Sequence, residues 1–327
     1  MLRSLVGSEM CIRDRLMSIT YPGTVYLIGA GPGNPNLLTK KAERLIRSAD
    51  VILFDRLVNP FILQYASSQT KVINVGKKPY CKHIQQEEIN QKIVEAANQY
   101  QCVVRLKGGD PAIFGRITEE VQTLENHHIH YEIVPGVTSA SAAVATMNMG
   151  LTMRSIAPSV TFSTGHFKDS VNHDTDIRNL INGGTLAIYM GVKRLGQIIK
   201  QIESYTNEDY PIAIVFNASC YNEKIVIGHL STIEEQLVSQ QLEGHPGICI
   251  LGNILDDINR TLLNNNKNDK GNLYLIKGDK ERAIAKAETL YDEGIQCLID
   301  FDHSYHISQQ NVYNEMIKHK SIKTIYV

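Results

Sequence analysis

Five short segments combine glycine, proline and ionisable side chains in ways that suit ligand chemistry. They are Gly29-Ala30-Gly31-Pro32-Gly33, Asp55-Arg56, Gly76-Lys77-Lys78, Lys107-Gly108-Gly109-Asp110, and Pro135-Gly136 leading into Thr138-Ser139. Glycines let backbone approach a ligand that a Cβ would hold off. Carboxylates such as Asp55 and Asp110 accept hydrogen bonds from hydroxyl or amine donors. Lysine and arginine offer local positive charge to an anionic ligand.

The first segment follows the apolar run Val25-Tyr26-Leu27-Ile28 and precedes a helical pattern. Strand, glycine turn and helix in that order raise the dinucleotide-binding layout, whose glycines fall at the first, third and sixth positions. Gly29 and Gly31 fit, but the sixth position is Asn34 and the third glycine comes early, at Gly33. Pro32 and Pro35 also remove amide donors that a pyrophosphate needs. Asp55 stands roughly 20 residues on, where a ribose ligand belongs in that layout, so the reading stays open beside a simple tight turn.

The elements that must position these segments alternate. Strands are expected at 24–28, 51–54, 71–75, 102–106 and 130–134, with helices at 36–47, 60–66, 85–99 and 116–126 between them. Such alternation means an α/β protein with a mainly parallel sheet and helices on both faces. Every segment named above follows the last residue of a strand, and in an open parallel sheet those ends line one rim, where ligands bind. Five motifs on one rim say more than any single glycine loop.

A second half opens with the small-residue stretch Thr138–Ala145 and continues with strands near 159–163, 184–189, 211–216, 224–228 and 247–252. Met190 and Ala218 again follow strand ends. The organisation expected is a first domain over 22–135, a second over 136–258, a polar linker over 259–271, and a small α/β extension of unassigned role over 272–327. Residues 1–16 lack periodicity and the apolar core of a signal peptide, and read as a leader extraneous to the fold.

At 327 residues the chain has room for two cored domains, and 43% hydrophobic with 20% charged residues is ordinary globular composition. A net charge of −1 gives no field for nucleic acid, and no apolar run reaches the length of a membrane span. The six scattered cysteines show no zinc or disulfide spacing and read as reduced thiols of a cytoplasmic protein. His127-His128-Ile129-His130 reads as a solvated loop, and no metal site is expected.

Taken in order, GAGPGNPNLLTKKA, ILFDRLV, VGKK, VRLKGGDPAIFGR, VPGVTSA, STGH and IYMG resemble the tetrapyrrole methylases over about residues 22–258. RLKGGDPAIFGR is the most specific of these motifs. The resemblance implies the two-domain class III methyltransferase fold, a homodimer, and S-adenosylmethionine bound between the domains, leaving S-adenosylhomocysteine. It points within the family to the branch that methylates uroporphyrinogen III at two carbons, giving precorrin-2 for siroheme or cobalamin. By resemblance the cofactor touches Pro32, Gly108, Gly109, Asp110, Ile113, Thr138, Ser139, Met190 and Ala218. Asp55 matches the family's proton acceptor and Lys77 its proton donor.

A substrate bearing eight carboxylates needs local cations. Candidates are Arg56, Lys78, Arg105, Lys107, Arg116, Arg154, Lys193 and Arg194. Arg56, Arg116 and Arg154 are the substrate-binding expectations, whereas Arg105 and Lys193 read as solvated surface charges.

Three stretches depart from the family. Phe216-Asn217-Ala218 replaces Glu-Asn-Gly, Arg116-Ile117-Thr118-Glu119-Glu120 replaces Arg-Gly-Gly-Glu-Glu, and Gly150-Leu151-Thr152-Met153-Arg154 replaces Pro-Leu-Thr-His-Arg. The competing functions are another precorrin methylase, an NAD-binding oxidoreductase with Asp55 on the ribose, and a binding protein that has lost turnover.

Overall fold

The computed structural model describes residues 22–76, 86–165, 174–242, 246–256 and 272–327. The leader at 1–16, the linker at 259–271, Lys77 and Lys78 lie outside the described residues.

The first sheet contains β1 (Thr24–Gly29), β2 (Val51–Phe54), β3 (Lys71–Asn74), β4 (Cys102–Lys107) and β5 (Tyr131–Val134), in the order β3-β2-β4-β1-β5. All four pairings are parallel. Helices α1 (Lys40–Arg47), α2 (Gln86–Gln99) and α3 (Ile117–Asn126) make crossovers between its strands. Side-chain alternation divides the sheet into two faces. Ile28, Ile52, Val104 and Leu106 pack with Ala42 and Ile46 of α1. Val25, Leu27, Val51, Leu53 and Val103 pack with Ile89 and Ile93 of α2 and Leu124 of α3. The register pairs Gly29 with Lys107, Ile28 with Val134 and Phe54 with both Leu106 and Asn74, so the rim segments leave the sheet at nearly one level.

After the small-residue helix α4 (Ser139–Thr146) comes a second five-stranded sheet. It contains β6 (Val160–Thr164), β7 (Thr185–Tyr189), β8 (Pro211–Phe216), β9 (Lys224–His229) and β10 (Gly247–Leu251), in the order β6-β7-β10-β8-β9. Only β6 and β7 run parallel; β10 is antiparallel to both of its neighbours, and β8 and β9 form an antiparallel pair. Helices α5 (Asp174–Ile181), α6 (Leu195–Glu203) and α7 (Ile233–Ser239) pack beside Ile212, Ile214 and Phe216. Ala187 and Ala213 face the other way, toward Ala140, Ala142 and Ala143, and small residues on both sides let α4 lie close.

The extension forms a three-stranded parallel sheet, with β11 (Asn272–Lys277) between β12 (Cys297–Ile299) and β13 (Ser321–Tyr326), crossed by α8 (Lys280–Asp292) and α9 (Ile307–Ile317). It does not stand apart. Leu273, Ile284, Tyr291, Leu298 and Tyr313 belong to the same apolar cluster as Phe61, Ile62, Ile52 and Val104 of the first sheet. The Phe61 and Tyr291 rings sit 5.1 Å apart.

Polar side chains complete this seam. The Gln64 amide donates to Ile299 O and accepts from Ile299 N, both at 2.8 Å, acting as a strand partner for β12. Buried Gln309 donates to Thr70 O at 2.7 Å and accepts from the Tyr313 hydroxyl at 2.9 Å. Ser308 Oγ accepts from Val72 N, closing part of the β3 edge.

Gln64→Leu keeps the volume but leaves the Ile299 amide and carbonyl without their partners. Unfolding free energy should fall by about 3 kcal/mol, since each buried group left unpaired costs ~1–3 kcal/mol. Denaturant titration measures it, and an unchanged midpoint would contradict the seam described.

Candidate active site: the rim between the two larger sheets

The glycine segments meet as bare backbone. Gly31 N donates to Gly109 O at 3.2 Å and Gly109 N to Gly31 O at 2.8 Å. A Cβ on Gly29 would fall 2.6 Å from Gly109 O, and one on Gly136 only 2.4 Å from the same atom. Three rim loops therefore touch where no side chain fits. Gly109 itself is left-handed, φ +70°, yet a Cβ there would meet nothing within 4 Å. Its Cα faces open space, as a backbone platform for a flat ligand requires.

Asp110 ties this junction together. Its Oδ1 accepts from Ala112 N at 2.7 Å and its Oδ2 from Gly136 N at 3.1 Å, so it braces two loops and the turn that carries Ile113. Gly108 lies against Leu57, an apolar side chain 66% exposed.

The second sheet supplies the opposite wall. Thr138 sits at the start of α4, but its hydroxyl makes no cap; it pairs with the Tyr189 hydroxyl at 2.6 Å, next to Ser139. Burial pushes the Tyr189 phenol pKa up, above the opposing effect of the Thr138 bond. Phe114, from the turn after Asp110, stacks on Tyr189 at 5.0 Å, and Phe162 packs on the same ring at 5.7 Å. Met190 follows with φ 57° and is 45% exposed, so it is not core.

Pro32 faces the loop after β8. Asn34 N donates to Ser219 Oγ at 3.2 Å, and the Cys220 thiol lies 3.6 Å from Pro32 O. Ala218 is buried between Asn217 and Ser219, both left-handed. Phe216 packs inward against Val192 and Gly247, so the departure from an acidic residue places an apolar ring in the core. Phe114, Arg116, Met190, Asn217 and Ser219 are all non-glycine residues at positive φ. Each such residue costs about 1–3 kcal/mol, and clusters of them mark functional sites.

Asp55 follows the last residue of β2, and its Oδ1 accepts from Arg105 Nη2 at 2.7 Å. Arg105 corrects the expectation of a solvated charge: its side chain is 2% exposed and also donates to Glu120. Lys107, a candidate for substrate carboxylates, is equally buried and donates to Glu120 Oε1 at 2.8 Å. Period-two alternation turns both side chains from the rim toward α3. Burial lowers the Lys107 pKa, and Arg105 adds to the effect against the opposing pull of Glu120.

Arg56 and Arg116 are exposed on rim loops, Arg56 beside Gly76 and Arg116 at the start of α3. Arg154 is exposed in the turn closed by Met153 and Ala157. Sequence reasoning missed Leu57, Phe114 and Tyr189. The first two sit inside the DRLV and AIFGR strings, where a bulky apolar residue beside glycine and charge was the available signal. His127, His128 and His130 are exposed, and among the described residues no cluster of three or more His, Cys, Asp or Glu could hold a metal.

A family model described as Tetrapyrrole (Corrin/Porphyrin) Methylases matches residues 24–234. The uroporphyrinogen-III C-methyltransferase of Priestia megaterium is 42% identical over 236 residues, covering 72% of this chain and 99% of the relative. A crystal structure of uroporphyrin-III C-methyl transferase from Thermus thermophilus, complexed with S-adenosylhomocysteine, superposes with TM-score 0.61 at 37% identity, covering 72% of this chain and 99% of that one. The cobalt precorrin-4 methyltransferase structure gives TM-score 0.63 at 26% identity, covering 71% and 96%. The fold is thus the two-domain methylase fold with a small α/β extension beyond the matched region. By sequence and architecture together, the chain belongs to the tetrapyrrole methylases.

Proposed function

We propose that the chain uses S-adenosylmethionine to methylate uroporphyrinogen III at two carbons, giving precorrin-2. What supports this reading is that Gly31, Gly109, Asp110 and Gly136 meet at one junction, that Phe114 beyond it touches Tyr189, which pairs with Thr138, and that Cys220 reaches Pro32, in a chain 42% identical to a uroporphyrinogen-III C-methyltransferase. The lobes on either side of that cleft are residues 22–135 and 136–258.

The cleft fits the cofactor's chemistry. The open face of Gly109, with Gly108 beside it, suits a flat adenosine, and Met190 and Ile113 offer polarizable apolar surface. Pro32, Ser139 and Ala218 complete the lining, and Asp110 orders the loops that carry it. S-adenosylmethionine supplies an electrophilic methyl group on a sulfonium, transferred in line to a pyrrole carbon.

The protein's own contribution is placement and proton handling. Leu57 and Phe114 offer an apolar shelf to the macrocycle, and Arg56, Arg116 and Arg154 meet its carboxylates. Asp55 takes the proton that the methylated carbon must release, with Lys77 as the proton donor. One oxygen of this carboxylate accepts from a buried arginine, which fixes its orientation. The working form is a homodimer in the cytoplasm, acting without a nucleic-acid or membrane partner. No described helix is long and apolar enough to cross a membrane.

Anaerobic incubation with both substrates should yield a doubly methylated product by mass spectrometry, and S-adenosylhomocysteine, unlike NADH, should raise the Tm. An unmethylated tetrapyrrole would contradict the substrate, and stabilisation by NADH alone would contradict the cofactor. Asp55→Asn should lower kcat by about 100-fold or more, the range for loss of a general base, while S-adenosylhomocysteine affinity stays within about twofold. Full turnover in that variant would remove Asp55 from the mechanism. Gly109→Ala places a methyl group on the open platform and should weaken S-adenosylhomocysteine roughly tenfold, or about 1.4 kcal/mol, by calorimetry; unchanged affinity would move the cofactor elsewhere.

A further inference from the structure

A buried arginine in the middle of a parallel sheet needs a reason. Leu53 lies beside Arg105 in the β2–β4 register, and the surrounding face is Val25, Leu27, Val51, Leu53 and Val103. Taking a guanidinium out of water costs several kcal/mol unless its donors are met and its charge is balanced. Hydrophobic residues fill the equivalent positions on either side, so packing alone gives no use for an arginine here.

Its donors are distributed with direction. Nε bonds Glu120 Oε1 at 3.1 Å, Nη1 bonds Leu106 O at 3.2 Å, and Nη2 bonds Asp55 Oδ1 at 2.7 Å. Three nitrogens of a planar, rigid fork are thus held, and the one pointing toward the rim ends on Asp55. Lys107, two residues along the same strand face, bonds the same Oε1 of Glu120. Glu120 is fully buried, and its Oε2 has no hydrogen-bond partner. Two cations therefore share one buried anion, and Asp55, 31% exposed, is the second carboxylate that balances the set. Above them Gly115 lies over Lys107: a Cβ there would meet Lys107 Cε at 3.3 Å and Pro111 O at 2.3 Å. The turn bearing Asp110, Ile113 and Phe114 closes the network from solvent.

We infer that Arg105 is a positioning residue for the methyl-transfer reaction, held by the buried Glu120–Lys107 pair so that its guanidinium fixes the Asp55 carboxylate at the cleft. The inference rests on Asp55 being the proton acceptor. Arg105 touches neither substrate nor cofactor; it acts through one oxygen of Asp55 and leaves the other for the substrate. The shared Glu120 makes Lys107 part of the same support, because without Lys107 the Glu120 carboxylate is less firmly oriented toward Nε.

The test is a double-mutant cycle in the full-length protein. Arg105→Lys keeps the charge but loses the fork. It should lower kcat roughly 10- to 100-fold, the size of effect that a small misplacement of a reacting group produces. KM for uroporphyrinogen III and the dissociation constant of S-adenosylhomocysteine should stay within about twofold, which a general loss of structure would not permit. In an Asp55→Asn background the same change should lower residual kcat by less than about twofold, because the group it positions is gone. Equal losses in the two backgrounds, or no loss in the first, would overturn the inference while leaving the proton acceptor intact. Full activity in Asp55→Asn alone would overturn both. Should Arg105→Lys not fold, the isosteric Glu120→Gln replaces it, with the same coupling to Asp55 expected and additivity again counting against the inference.

Discussion

The contact on which the structure depends is backbone against backbone at Gly31, Gly109, Gly29 and Gly136. Three loops that leave a parallel sheet at one level would ordinarily be kept apart by their own side chains. Here the absent Cβ atoms let carbonyl and Cα come within van der Waals limits, and Asp110 locks the arrangement by accepting a backbone bond at each carboxylate oxygen. The turn over 110–114 takes its position from that junction. The turn leaving it carries Phe114 to Tyr189, and Tyr189 carries the constraint to Thr138 and Met190. Rim geometry and the opposing wall are thus one connected object.

Two kinds of support lie behind it. On one face of the first sheet, Arg105, Glu120 and Lys107 make a charged layer that reaches Asp55. On the other face, the third sheet covers the apolar surface of Phe61, Ile62 and Leu63. That cover also reaches toward the cleft. Asp292 accepts from the Asn34 side chain at 3.0 Å, while the Asn34 amide bonds Ser219, so one asparagine joins all three sheets beside Pro32. Lys320 adds a cation–π contact at 5.8 Å to Tyr221, in the turn between β8 and β9. The extension is built into the enzyme's frame.

Much of this was legible in the chain itself. Continuous apolar runs such as VYLI and VILF marked strands buried on both faces, and glycine or aspartate after each run marked the rim, because parallel strands put like ends together. What the sequence could not carry was direction and depth. The antiparallel course of β10 depends on pairings between distant strands, and no local pattern encodes it. Arg105 looks like a surface charge and Lys107 like a cation for substrate because their shared partner, Glu120, is recognised only after α3 packs on the sheet. The seam of Gln64 and Gln309 was invisible for the same reason: an amide in a short helix reads as polar surface until the strand it imitates is in place. The reverse holds for Leu57 and Phe114, apolar residues that stand exposed beside Gly108 and Tyr189.

The central claim is that segments from both larger sheets form a single cofactor pocket, and hydrogen–deuterium exchange with saturating S-adenosylhomocysteine tests it most directly. Slowed exchange should appear together at 29–33, 107–114, 136–140, 189–191 and 217–220, with little change across β11, β12 and β13 outside the Asn34 junction. Protection confined to one of the two sheets, or centred on the third, would contradict the account.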